Sequence, residues 1–237
     1  MKKLLSLLLG MCLYFNSQAS TTVITKDADY YLYFGTYNAL RTPLFVGVHD
    51  VQVGSPYRYH FNFGNIEIGS ISTFNSGDTG LLKLNLQRFR VPGIVDPGYQ
   101  GPPTYTFATS GITFSLKVIA LTTNFLSIEE SSDPINWYLE NIYNKPAIDE
   151  VTFSSAGEIQ FNITSALIQW RDNPELNYGL GLIGTYSSLP GTTAQFYSLE
   201  SVDSSLHPSV HIIPEPTVFE YIILISFVLL VVYWFKR

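Results

Sequence analysis

Cysteine is almost missing from this chain of 237 residues: the single one is Cys12, close to the start. The remainder therefore has no disulfide, no thiolate metal site and no thiol nucleophile, and its fold must rest on an apolar core. Histidine is limited to His49, His60, His207 and His211. His207 and His211 have no close acidic partner in sequence, and His60 reads as a surface side chain, so no zinc site is assigned. Charged residues make up only 14% of the chain, and basic ones are in deficit. From Ser20 to Pro216 there are 9 Lys or Arg against 18 Asp or Glu, a net charge of −9. Such a body disfavours nucleic acid and anionic surfaces. Lys83, Arg88 and Arg90 are the nearest basic grouping, and they read as a solvated strand face. No carboxylate pair can be placed face to face, and Ser110 and Ser165 lack a nucleophile-elbow context. No catalytic residue is assigned, and the chain is read as a non-enzyme.

What is present is concentrated first at the two ends. Lys2 and Lys3 precede an apolar run from Leu4 to Phe15, and the small residues Ser17 and Ala19 precede Ser20. This is the layout of a secretory signal peptide over residues 1–19. Cys12 lies inside the apolar run, and Met11 before it is not small, which argues against lipoprotein processing. At the far end, Thr217 to Phe235 is apolar apart from Thr217, Glu220 and Ser226. As a helix, a stretch of this length nearly matches a hydrocarbon core of ~30 Å. Tyr233 and Trp234 suit the interface, and Lys236 and Arg237 favour the cytoplasmic side. The body between would then face away from the cytoplasm, as the leader also requires. Pro214, Glu215 and Pro216 stand before the span, which must begin after them.

The body over residues 20–213 reads as one β-domain. Tyr57, Tyr59, Phe61 and Phe63 alternate with Arg58, His60 and Asn62. Leu82, Leu84 and Leu86 alternate with Lys83 and Asn85, and Ile112, Phe114, Leu116, Val118 and Ala120 with Thr113, Ser115 and Lys117. These runs of period two predict strands with one buried face. Ile163, Ala166, Leu167 and Trp170 are spaced as one face of a short helix, with Trp170 as a core anchor. Residues 91–103 hold four Pro and three Gly and predict a loop, as does the polar stretch 129–134. Short strands with one small helix predict an all-β antiparallel sandwich, jelly-roll-like, joined to a C-terminal transmembrane helix over 217–235.

Two resemblances extend this reading. The order Pro214-Glu215-Pro216, apolar span, Lys236-Arg237 resembles the PEP-CTERM sorting signal of Gram-negative bacteria. The resemblance implies processing by an exosortase-type membrane protease and an association with exopolysaccharide. It also implies export through the inner membrane, membrane anchoring, and release to the cell surface or matrix. Within the body, the stretch from Phe161 to Trp170 and that from Asn177 to Leu182 resemble the DNRLRE-domain family, related to carbohydrate-binding module family 96. Ile135-Asn136-Trp137 and Asn144-Lys145-Pro146-Ala147 add to this likeness, while Asn162 and Asn62 stand where that family favours Asp. The resemblance implies a β-sandwich of secreted proteins, some relatives of which bind acidic polysaccharides such as alginate. In structural terms, Asn162 or Thr164 would cap the short helix. Gly179 and Gly181 would leave room for backbone near Trp170.

The aromatic content carries the binding expectation. Tyr30, Tyr33 and Tyr37 crowd the first strand region, and Tyr99 and Tyr105 flank the Pro/Gly loop. Sugar rings stack on such faces, with Arg41, Arg58, Lys83 or Arg90 supplying charge for an acidic glycan. No cofactor is expected. Asp27 and Asp29, with Asp172, Asn173 and Glu175, could offer oxygen ligands to a structural calcium ion. The expected function is a non-enzymatic exported surface or matrix protein that binds or organises extracellular polysaccharide. The alternatives are a purely structural or protein-interaction module of the envelope and, third, a polysaccharide-active enzyme.

Overall fold

The structure is a computed structural model that describes residues 20–22, 24–33, 36–40, 44–47, 50–52, 58–69, 71, 74–92, 105–128, 131–189 and 191–215. The expected leader (residues 1–19), Pro216, the apolar segment 217–235, Lys236 and Arg237 lie outside the described residues. Among the described residues no helix is long and apolar enough to cross a membrane.

Fourteen strands follow one another among the described residues. They are β1 (Ser20–Thr22), β2 (Ile24–Tyr33), β3 (Thr36–Leu40), β4 (Leu44–Gly47), β5 (Asp50–Gln52), β6 (Arg58–Ile68) and β7 (Thr79–Pro92), then β8 (Tyr105–Ala108), β9 (Ser110–Ala120), β10 (Asp149–Ser155), β11 (Gly157–Asn162), β12 (Leu180–Ser187), β13 (Thr193–Phe196) and β14 (Ser209–Ile213). They form two antiparallel sheets of seven strands each. The expected all-β antiparallel class is what the chain adopts.

β7 is the axis of the first sheet. On one side it pairs first with β14, from Ile213↔Thr79 to Ser209↔Lys83, and then with β13, from Phe196↔Leu86 to Thr193↔Arg90. On the other side it pairs with β11 and then with β8. β1 extends the sheet beyond β14, and β4 extends it beyond β13. The second sheet runs β10-β9-β12-β6-β2-β3, with β5 also on β6. One core joins the inner faces of both sheets, including Leu82, Leu84 and Phe89 from the first and Phe114, Leu116 and Leu182 from the second. Each such side chain stabilises the fold by roughly 1.5–3 kcal/mol when fully buried.

The period of two in β7 breaks once. Leu82, Leu84 and Leu86 are buried, but the next buried residue is Phe89. In the register, Gln195 faces Arg88 while its neighbour Phe196 faces Leu86, so Gln87 is an extra residue in β7. This β-bulge shifts the strand's phase. Without it, Arg88 and Arg90 would continue the inward series begun by Leu82.

The helical content is larger than the one short helix expected. The outer face of the second sheet is covered by a 3-10 turn (Phe125–Ile128) and by helix α1 (Pro134–Tyr138), which runs on as a π-turn (Leu139–Tyr143). Beneath them Phe63, Ile119, Leu121 and Ile183 form a second apolar cluster with Phe125, Tyr138 and Ile142. Residues 131–134 therefore do more than connect. Asp133 accepts the Asn136 amide at 3.0 Å, an N-cap bond, and Pro134 takes the first helical position. Lys117, expected on a solvated face, lies under the cover. Its Nζ donates to the carbonyls of Tyr143 (2.6 Å) and Lys145 (3.3 Å), satisfying carbonyls at the end of the turn. Burial lowers the Lys117 pKa, and Glu150 opposes that shift.

Helix α2 (Thr164–Asp172) matches its expectation, with Ala166, Leu167 and Trp170 buried. Its capping differs in detail. Ile163 is the N-cap and offers no side-chain bond, while Asn162 Oδ1 accepts the Thr164 amide at 3.1 Å from one residue earlier. The Thr164 hydroxyl instead accepts the Gly80 amide at 3.0 Å, tying the helix to β7. The neighbour that Gly179 accommodates is also different. Its φ is +86°, and a Cβ there would lie 2.5 Å from the Ile66 carbonyl oxygen, so the close approach is to β6 and not to Trp170. Gly181 likewise makes room for the side chains of Ile119 and Leu121.

Candidate functional site

The sequence-based binding residues are spread over both sheets. Tyr30, Tyr33, Tyr37 and Arg58 belong to the second sheet, opposite Phe63, His60, Leu32 and Gln52 in register. Tyr105 belongs to the first. Arg41 and Tyr99 lie outside the described residues. Of the expected residues that the structure describes, Tyr30, Tyr33, Tyr37 and Arg58 thus lie in one sheet, and Tyr105, Lys83 and Arg90 in the other. Among the described residues no group of three or more His, Cys, Asp or Glu side chains could hold a metal ion, and Asp172 pairs with its neighbour Arg171 at 2.7 Å.

A different constellation forms around Tyr105. The bulge at Gln87 turns Arg88 and Arg90 onto the outer face of β7, and β8 brings two aromatic residues beside them. Arg90 stands directly opposite Phe107, and its guanidinium lies 3.5 Å from the centroid of the Tyr105 ring. Arg90 also lies 5.7 Å from the Phe45 ring on β4. Arg88 sits 3.9 Å over the Phe107 ring. Each stacked cation–ring pair at an exposed site contributes roughly 0.5–1 kcal/mol. Phe107 is 53% exposed and Tyr105 38%, so both rings are open to a ligand.

The arginines are held from below. Arg88 Nε donates to Gln195 Oε1 at 2.8 Å, and Gln195 Nε2 donates to Gln87 Oε1, so the buried Gln195 amide locks the bulge that presents Arg88. On the inner face, Phe89 points into a group of rings with Phe114, Phe153 and Phe196, with centroids 5.7–6.2 Å apart. Such packing gives the platform a stiff base.

The electrostatic contrast is plain. Lys83 is paired with Glu158 at 3.3 Å and Arg171 with Asp172, whereas among the described residues neither Arg88 nor Arg90 has a carboxylate partner. Arg88 spends its Nε–H on Gln195, but a guanidinium stacked by its face still directs its terminal N–H groups outward, where two parallel hydrogen bonds can hold a planar anion. The face therefore offers apolar rings and planar cations side by side. Phe107 and Arg88 were not singled out as binding residues from the sequence. The signal lay in the equal spacing of Arg88/Arg90 and Tyr105/Phe107, which puts each pair on one side of its strand. No known family model matches the chain, and no curated protein matches its sequence.

Proposed function

We propose that the chain is an exported, non-enzymatic cell-surface or matrix protein. Its β-domain binds an acidic extracellular polysaccharide on the face formed by Arg88, Arg90, Tyr105 and Phe107. The observation that carries this reading is the pair of ring-stacked guanidiniums, which have no carboxylate partner among the described residues. Rings take the apolar faces of sugars, and the guanidinium edges take their carboxylates. In this reading the two-sheet body is a jelly-roll-like sandwich, because the chain crosses repeatedly from one sheet to the other. The Pro214-Glu215-Pro216 tail with its apolar span inserts the chain in the membrane and presents it to an exosortase-type protease of a Gram-negative envelope.

The test uses the whole chain in detergent, passed over an immobilised polyuronate and over a neutral glucan at low salt. Retention on the polyuronate alone, lost at high salt, is the expected result. Equal behaviour on both materials would leave a structural or protein-interaction role as the better reading.

A further inference from the structure

In the sequence, the Pro-Glu-Pro segment stands in front of the apolar span. The structure puts its first two residues on the folded body. β14 makes its last pairing at Ile213↔Thr79. Two residues on, the Glu215 backbone N–H donates to Asp78 Oδ1 at 3.3 Å. Pro214 and Pro216 have no N–H, so this is the only backbone donor in the Pro-Glu-Pro motif. Asp78 is itself fixed: it is 5% exposed, and its Oδ2 accepts the Asn75 amide at 2.7 Å and the Asn75 Nδ2 at 3.1 Å. A second contact is independent of this bond. The Glu215 side chain lies across Gly77 so closely that a Cβ on Gly77 would collide with its carboxylate.

We propose that the turn Asn75–Asp78 is a clasp that holds Pro214 and Glu215 against the folded domain and slows their processing. This rests on reading the tail as a processing signal. A protease must draw its substrate backbone into an extended form with free donors and acceptors. Here the motif's single donor is already bound, and Glu215 is seated on a turn of the body. Pro214 and Glu215 are exposed at the surface, but the Glu215 N–H is engaged, so cleavage requires the clasp to open first and release of that donor is set by an equilibrium within the fold. The location adds a constraint. Ser20, the first residue after the expected leader cut, pairs with Ile212, so the clasp and the start of the mature chain share one end of the first sheet.

The clasp is tested on the full chain in detergent by hydrogen exchange at the Glu215 amide. The variants are Asp78→Ala, which removes the acceptor, and Gly77→Ala, which displaces Glu215 while keeping Asp78. Exchange at least about tenfold faster in both variants is expected, as for loss of a charge-assisted bond. A wild-type rate equal to that of an unstructured peptide would overturn the clasp. Gly77→Ala guards against Asp78→Ala failing to fold, since Asp78 also organises the turn. In the producing cell, pulse–chase conversion to a shortened chain should be faster in both variants. Faster exchange with unchanged conversion would overturn the gating role. If no chain is shortened in any strain, the processing reading itself falls and takes the gate with it, while the exchange rates still report whether the clasp exists.

Discussion

The two ends of β7 are built from the same strand and serve opposite ends of the molecule. At ~3.3 Å per residue, its 14 residues span about 45 Å. At the start, Thr79 and Gly80 meet β14, helix α2 and the acidic turn that seats Glu215. Small residues dominate there: a side chain on Gly80 would collide with Leu167, and one on Gly77 with Glu215. At the other end, bulky rings and guanidiniums face solvent over an aromatic core. The first end lets segments approach closely and be held. The second presents a fixed, cationic surface, about 35 Å along the strand from Thr79. In sequence, three residues separate the last paired residue, Ile213, from the apolar stretch that begins at Thr217. The bulge at Gln87 marks the change from one regime to the other.

The largest expected effect comes from breaking what the two ends share. Leu84 is fully buried midway along β7. Leu84→Ala should lower stability by about 2–5 kcal/mol in chemical denaturation, with a single transition sensed at both ends. Two separate transitions would show that the ends are independent units. Next in size is Arg90→Ala, which should reduce polyuronate retention about tenfold or more, with Arg90→Lys recovering only part because an ammonium cannot make the planar paired contact. Exchange at the Glu215 amide should not change in either variant, and a change would mean that the ends communicate. Phe107→Ala should weaken retention by a smaller factor while leaving stability within about 0.5 kcal/mol, since the ring is half exposed. A stability loss beyond that would assign the ring to packing instead of binding.

Much of this was legible from residues alone, and the failures have physical reasons. The strands of β7 and β9 followed from their alternation, and α2 from its helical spacing, because burial against one core imposes a simple period. The change of phase is also visible: the apolar series Leu82, Leu84, Leu86 resumes at Phe89 and Val91. What it builds is not visible, because the meaning of the outward arginines depends on β8, which follows only after the Pro/Gly-rich stretch, and register across such a gap has no local signature. The second apolar cluster escaped for a related reason. Ile119 and Ile183 lie on a sheet face expected to be polar, and only the helical cover from Phe125 to Tyr143 makes that face a core. Asp133-Pro134 did signal a helix start, but the run of polar residues before it read more readily as a loop. The clasp on Glu215 was beyond reach, since Asp78 and Glu215 are 137 residues apart in sequence.

The smallest effect separates the ends by pH. His211 on β14 lies near Lys83 and Glu158, and its pKa is lowered from 6.5, first by burial, then by Lys83, with Glu158 opposing. The folded state therefore holds this imidazole less protonated than the unfolded chain does. Unfolding takes up a proton in that range, so the contribution of His211 is fully present above about pH 6.5 and is lost as pH falls below it toward the lower folded value. Uronate carboxyls ionise well below this range, and His211 pairs near the start of β7, at the other end of the strand from Arg88 and Arg90. Between about pH 7 and 5.5, stability should decline slightly while retention on polyuronate is unchanged. His211→Gln should flatten the stability slope. A slope that persists in this variant would place the proton uptake elsewhere in the fold, and a parallel fall in retention would couple the far face to this end of the strand.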